Sequence, residues 1–339
     1  MGAPGERRDD RSGVPAGAPF LDSPVPTPRV LQSEDLDPAA AAWLRESCDL
    51  VECHFSRQPR FDELLAQAEG LVVRTYTRVD QNLLDRAPRL RVVGRAGVGL
   101  DHIDVQACRR RGVEVVHTPA ANCDAVAEYV FAMLFGALRP RFRLRSAVDL
   151  SEWNRLRKGH EATSQLNELT LGVLGLGRVG SRVARIARGV GMRVLYHDLL
   201  DIPAPSRHGA TPVPVETLLR DSDVVTIHVD GRSENRKWFG EGFCALLRPT
   251  ATVVNTSRGL VLDEAALARW LRAHPAGMAL IDVHDPEPFG PDYPLLGVDN
   301  AVLSPHLAAG TAAAHAAMSW VVKDVWRVLS GLPPEHPAP

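Results

Sequence analysis

Cysteine is scarce in this chain of 339 residues: there are five, Cys48, Cys53, Cys108, Cys123 and Cys244, an odd number with no CxxC pair. That pattern excludes a disulfide framework and a cysteine-rich zinc site, and it fits thiols kept reduced in a cytoplasm. Long apolar runs are missing too; none reaches the roughly 18 residues that a membrane span needs. The amino end carries Glu6, Arg7, Arg8, Asp9 and Asp10 where a secretory signal would have its apolar core. Glu6 also stands where a myristoylation signal needs Ser or Thr. A cytoplasmic location is therefore expected. Nor is there an excess of charge: 39 Lys and Arg against 41 Asp and Glu leave a net −2, which gives no reason to expect nucleic acid or a membrane surface as partner. No repeat of solenoid length shows. What remains is a chain of ordinary apolar content, long enough for two domains with their own cores.

The most informative stretch runs from residue 169 to residue 198. Leu171, Val173 and Leu174 form an apolar run that leads into Gly175, Gly177 and Gly180, spaced G-x-G-x-x-G. Val179, Val183, Ile186, Ala187 and Val190 follow at helical spacing, and a second apolar run over 192–197 ends at Asp198. A strand, a glycine turn, a helix and an acid-tipped strand are the parts of a dinucleotide site. Gly175 permits the tight turn, Gly177 lets the backbone approach a pyrophosphate, and Gly180 lets the helix pack on the strand. The helix start offers free N–H groups and the positive end of its dipole. Asp198 suits a ribose and repels a 2′-phosphate, which favours NAD over NADP. Glycines alone often mark only a turn; the flanking pattern makes this motif specific.

Residues 1–28, rich in Pro, Gly and Ala and without periodicity, read as a disordered tail. From Arg29 onward short apolar runs alternate with helical stretches. Strands are expected at 29–32, 49–55, 70–76, 91–97 and 113–117, with helices near 38–46, 61–68, 80–86, 105–111 and 123–138. Further strands are expected at 170–175, 193–197, 224–229, 252–256, 278–283 and 301–303, then a last long helix over 311–329. Such alternation gives an α/β fold of parallel sheets with helices on both faces. The basic segment 139–145 reads as a solvated or subunit-facing helix start rather than a phosphate patch.

Three strand ends beyond the glycine motif carry groups able to do chemistry. Arg258 follows the strand at 252–256, where a guanidinium can clamp a carboxylate through two parallel hydrogen bonds. Asp282, His284, Asp285 and Glu287 crowd the next strand end, but at no spacing known for metal ligands, so no metal is expected. His306 follows the third. A histidine with a carboxylate beside it is favoured as imidazolium and suits general acid work.

In this order the segments resemble the D-isomer-specific 2-hydroxyacid dehydrogenase family, most of all its phosphoglycerate dehydrogenase branch. The resemblance spans about residues 29–330. It rests on Gly94 to Asp101, on Thr118, Pro119, Asn122 and Glu128, on the three glycines, on Asn255 to Gly259, and on Asp282, Glu287 and His306. It implies two doubly wound parallel-sheet domains: a Rossmann NAD-binding domain, 120–305, inserted into a flavodoxin-like substrate domain, 29–119 and 306–330. It implies that His306 gives a proton to a keto oxygen as hydride arrives from the nicotinamide, that Glu287 orients His306, and that Arg258 binds the substrate carboxylate. Ala96, Gly97, Val98 and Gly99 would add backbone N–H groups, and Asn122 would line the same cleft. Asp282, Asn255 and Thr256 would hold the nicotinamide amide, while Arg178 and Val179 would meet the pyrophosphate through their backbones. Residues 230–235, expected on the adenine side, replace a proline-containing turn frequent in the family.

Arg74 matches an arginine that phosphoglycerate dehydrogenases place near their substrate, and Arg78 could supply a second cation. The resemblance therefore implies 3-phosphoglycerate and phosphohydroxypyruvate as the first substrate pair, with glyoxylate or hydroxypyruvate reduction as the alternative. From another class, NAD-sensing corepressors share the family. A homodimer through residues 123–150 is implied as well.

Overall fold

The computed structural model describes residues 27–139, 141–159 and 164–339. All but the last two residues of the expected tail fall outside them. Strands β1 (Arg29–Gln32), β2 (Asp49–Glu52), β3 (Gly70–Val73), β4 (Val92–Arg95) and β5 (Glu114–His117) form a parallel sheet in the order β2-β1-β3-β4-β5. Strands β6 (Thr170–Leu174), β7 (Arg193–His197), β8 (Thr211–Pro212), β9 (Val224–Ile227), β10 (Thr252–Asn255), β11 (Met278–Ile281) and β12 (Ala301–Leu303) form a second, in the order β12-β11-β10-β9-β6-β7-β8. Helices cross over between parallel neighbours, so the inner strands are covered on both faces; β3, β6, β9 and β10 are buried at every residue. This is the expected α/β architecture of two doubly wound sheets.

In each sheet the strand order reverses once, between β1 and β3 and between β6 and β9. Loops leaving the carboxyl ends of such neighbours diverge and open a crevice. Arg74 follows β3 and the three glycines follow β6 at these reversals, whereas Arg258, Glu287 and His306 follow β10, β11 and β12 at the same carboxyl end of the second sheet.

The chain returns to the first sheet at its end. The expected helix over 311–329 is two helices, Ala312–Ser319 and Val322–Leu329, separated at Trp320 and Val321. Val321, Val322, Val325 and Leu329 pack on Val30, Val72, Val92 and Val116 of the first sheet. Beyond them Pro337 lies antiparallel to Val116. The Ala338 N–H donates to the Val115 carbonyl at 2.7 Å, and the His117 N–H to that of His336 at 3.1 Å. The last residues thus cover the open edge of β5.

Other departures have local causes. Residues 141–149 form neither helix nor strand, so no helix starts at 139–145; the helix Leu150–Gly159 comes later and buries none of its residues, leaving no apolar stripe to read. β3 stops at Val73 because the amides that follow turn to a side chain described below. Among the described residues no helix is long and apolar enough to cross a membrane, and the five cysteines are buried and unpaired.

Gly94, inside β4, leaves room for the last helix: a Cβ there would fall 2.4 Å from Val325 Cγ2. We expect Gly94→Ala to lower stability by about 1–3 kcal/mol, read as a fall in urea midpoint at constant slope. An unchanged midpoint would mean that the helix is not seated this closely.

Candidate active site

The loops after β11 and β12 bring an acid and a base together. Glu287 Oε1 accepts the His284 N–H at 2.8 Å, and Oε2 meets His306 Nδ1 at 2.7 Å. An ionised carboxylate only accepts, so Nδ1 carries the proton, and Nε2 has no protein partner among the described residues. Burial pushes Glu287 up, but the His306 hydrogen bond and charge, with the His284 N–H, outweigh it; the carboxyl stays below its ordinary 4.5.

His306 has a φ of 54°, a left-handed conformation that costs a β-carbon residue of order 1–3 kcal/mol. Asp282 holds it there. Its carbonyl accepts the His306 N–H at 2.9 Å. Its carboxylate accepts the Ser304 hydroxyl at 2.6 Å and the Leu307 and Ala308 N–H groups, each at 2.8 Å. Asp282 is wholly buried, and all three of these donors belong to the His306 turn, so its carboxylate braces that turn. Asn255 is buried as completely. Its Nδ2 donates to the Arg258 carbonyl and its Oδ1 accepts from Ser257, so it shapes the turn that presents Arg258. The Thr256 hydroxyl, in contrast, is buried with no partner among the described residues.

Arg258 reaches from the second sheet to the first. Its Nε donates to both oxygens of Asp101, at 3.0 and 3.1 Å, and its Nη1 to the Ser257 carbonyl at 2.6 Å. Gly99 lies against the guanidinium so closely that a Cβ would fall 1.9 Å from Nη2. Gly231 covers the other side, 2.9 Å from Arg258 Cγ by the same measure. Gly231, in the loop at 230–235, therefore borders Arg258.

The loop over Ala96, Gly97, Val98 and Gly99 is folded around Arg95. Arg95 Nε donates to the Gly99 carbonyl at 3.0 Å and Nη1 to that of Ala96 at 2.6 Å. Gly97, with φ 156°, passes where a Cβ would lie 2.1 Å from Nη1. His117 Nδ1 donates to the Val98 carbonyl at 2.9 Å. The N–H groups of Ala96 and Gly97 are taken by the Val73 and Arg95 carbonyls; those of Val98 and Gly99 meet no acceptor among the described residues. Burial pulls Arg95 down to about 10; Arg258 and Arg74 add to this, while Glu34 and Asp101 oppose it.

Arg74 stands at the end of β3, half-buried, with no hydrogen bond or ion pair to its guanidinium among the described residues. Glu34, across the β1–β3 reversal, fixes the loop that carries it: the carboxylate accepts the N–H groups of Arg74, Thr75, Tyr76 and Thr77 at 2.6 to 3.1 Å. Arg78 faces solvent and pairs with Asp80 at 3.5 Å. Asn122 is the N-cap residue of the helix Cys123–Leu138, with its side chain not used in capping.

At the β6–β9 reversal Gly175 has φ 88°, and a Cβ would meet the His228 carbonyl oxygen at 2.9 Å. A Cβ on Gly180 would lie 2.0 Å from the Gly175 carbonyl oxygen, whereas one on Gly177 would meet nothing within 4 Å. Gly177 caps the helix Arg178–Gly189 without a side-chain bond, so the first N–H groups of the helix, those of Arg178 and Val179, have no acceptor within it. Asp198 accepts the Leu176 and Leu200 N–H groups at 2.6 and 2.9 Å. The turn, the open helix start and the placed carboxylate fit a dinucleotide.

Residues 131–308 match the family model for the D-isomer specific 2-hydroxyacid dehydrogenase, NAD binding domain. This chain belongs to that family. It is 37% identical to the glyoxylate reductase of Aeropyrum pernix over 84% of this chain and 87% of the relative. It is 35% identical to the D-3-phosphoglycerate dehydrogenase of Archaeoglobus fulgidus over 90% of this chain, but spans only 58% of that enzyme's length. The D-lactate dehydrogenase of Aquifex aeolicus, solved with NAD and lactic acid, superposes with a TM-score of 0.75 at 28% identity, over 89% of this chain and 96% of that one. The chain is thus an NAD-dependent oxidoreductase of the D-2-hydroxyacid dehydrogenases.

Four groups of this dehydrogenase site escaped sequence reading: Glu34, Arg95, Asp101 and His117. Arg95 and Asp101 lie inside a segment already marked by its glycines; Glu34 and His117 carry no local signal. Although burial works against it, the N–H donors around Glu34 hold its carboxyl below the ordinary 4.5. Its contribution is therefore complete above that value and is lost as pH falls through the lower, folded-state one. We expect Glu34→Gln to cost about 1–3 kcal/mol at neutral pH, with variant and parent converging as pH falls below the ordinary 4.5. Urea midpoints across pH check this, and a gap that persists unchanged into acid would refute it.

Proposed function

We propose that this dehydrogenase interconverts a D-2-hydroxy acid carrying a second anionic group and its 2-keto acid, with 3-phosphoglycerate and phosphohydroxypyruvate the preferred pair. The observation that carries this reading is the Arg74 guanidinium, half-buried, within charge range of Arg95 and without a partner among the described residues. A phosphate at C3 gives such a cation a partner.

In the keto-acid direction Arg258 and the Val98 and Gly99 N–H groups bind the carboxylate. Arg258 also polarises the carbonyl. His306 donates the proton on Nε2 to the carbonyl oxygen, while Glu287 holds Nδ1 and stabilises the imidazolium before transfer. Bound nicotinamide supplies the hydride that C2 accepts. In reverse, His306 takes the hydroxyl proton. Asp198, beside the ribose position, supports NAD over NADP. Similarity to the glyoxylate reductase over most of both chains supports a second reading, reduction of small unphosphorylated keto acids.

NADH oxidation with phosphohydroxypyruvate, hydroxypyruvate and glyoxylate separates the two readings. We expect the highest kcat/KM with the phosphorylated acid. Arg74→Ala lowers that value about 10- to 100-fold, with little change for glyoxylate, and His306→Asn lowers kcat about 10²- to 10⁴-fold with all three. Equal efficiency on phosphorylated and unphosphorylated acids would sink the phosphate reading.

We also propose self-association through the helix Cys123–Leu138 and the region that follows it. Phe135, Leu144, Leu150 and Trp153 are all exposed there, an apolar surface of the kind that subunits cover. Sedimentation should give a dimer mass for the parent and a monomer for the pair Leu150→Asp and Trp153→Asp; a monomeric parent would contradict this.

A further inference from the structure

The mechanism leaves one buried histidine unused. His284 follows β11, only 6% exposed, and both of its ring nitrogens are engaged. Nε2 lies 2.9 Å from the Ser304 carbonyl oxygen. A carbonyl only accepts, so Nε2 carries a hydrogen. Nδ1 lies 2.9 Å from the Tyr293 hydroxyl. Burial pushes the Tyr293 hydroxyl up, which keeps it a donor. Phe289 stacks on Tyr293, with ring centres 4.4 Å apart, and sets its edge against His284 at 4.7 Å.

The same Ser304 carbonyl accepts the His306 N–H at 3.1 Å, and the His284 N–H is the one that holds Glu287. One residue therefore touches both halves of the acid–base pair, Glu287 through its main chain and the His306 turn through its ring. The β11–β12 ladder has ended by then, at Ile281 and Leu303. Beyond it, the Asp282 contacts and the His284 ring bond tie the two strand ends together.

We propose that His284 is a positioning residue for His306, its Nε2–H fixing the Ser304 carbonyl on which the left-handed His306 turn closes. This rests on His306 being the acid–base group. His284 itself touches no substrate. Its ring sets how well Nε2 of His306 is aimed, so its loss appears in kcat rather than in binding. Misplacement of a reacting group by about 1 Å can cost about 100-fold.

The test uses the full chain, NADH, and whichever of phosphohydroxypyruvate or glyoxylate the parent reduces. His284→Phe keeps an aromatic filler and removes both ring bonds. His284→Gln keeps a donor for Ser304 and an acceptor for Tyr293. We expect the Phe variant to lose about 10- to 100-fold in kcat, with KM and the NADH Kd, read from tryptophan quenching, within about twofold. The Gln variant recovers kcat to within about threefold of the parent. An unchanged kcat in the Phe variant would overturn the proposal. So would equal losses in both variants accompanied by weaker NADH binding and a lower urea midpoint, since His284 would then be only a core filler. A His306→Asn enzyme as active as the parent would instead defeat the acid–base reading, and it separates the two failures.

Discussion

A carboxylate buried without a cation beside it governs the active end of this molecule. Asp282 is fully removed from water, and an ionised group there is tolerated only when its lone pairs are met. Three donors meet them, all drawn from the segment around His306. The demand of one buried charge thus recruits the backbone amides of a turn, and the turn in its new shape points an imidazole out of the protein. Glu287 then needs only to reach that imidazole. Strand end, turn, histidine and carboxylate form a sequence of dependencies that starts from the deepest member.

The two sheets supply the frame for this arrangement. Both are parallel, so the loops at their carboxyl ends carry the acid–base pair, the arginine turn and the glycine turn from one sheet, and the Arg95 loop and Arg74 from the other. The Arg258–Asp101 pair joins the two sides. Its partners are about a third exposed (29% and 41%), and pairs of that kind contribute little to stability. Its effect is directional: with Nε taken by Asp101 and Nη1 by Ser257, only the Nη2 side of the guanidinium is left to a substrate.

Periodic features of the chain were plain in its sequence. Buried parallel strands gave unbroken apolar runs, and the glycine spacing announced a turn whose steric reasons the structure bears out at Gly175 and Gly180. Long-range polar contacts left no such trace. Glu34 serves amides about 40 residues away, and no local pattern reports which backbone N–H groups will need an acceptor. Asp282 and Asn255 were legible as residues of consequence but not as buried ones, because a polar residue at a strand tip looks the same whether it faces a ligand or braces a turn. The helix Leu150–Gly159 escaped for the opposite reason: it buries nothing. The break at Trp320 and Val321 lies within a continuous apolar stripe, where periodicity alone predicts no interruption.

The return of the chain to its first sheet bears on how the molecule is made. Val30, Val72, Val92 and Val116 all precede the second sheet in the sequence, yet the residues that cover them, Val321 to Leu329, follow it. On a ribosome the entire second sheet emerges before that cover does. The five-stranded unit must therefore wait with one apolar face open, a period in which nascent chains are prone to aggregate. The seven-stranded unit has its strands consecutive in sequence and can close as soon as β12 is out. Synthesis from the amino end thus favours completion of the middle of this protein before its beginning.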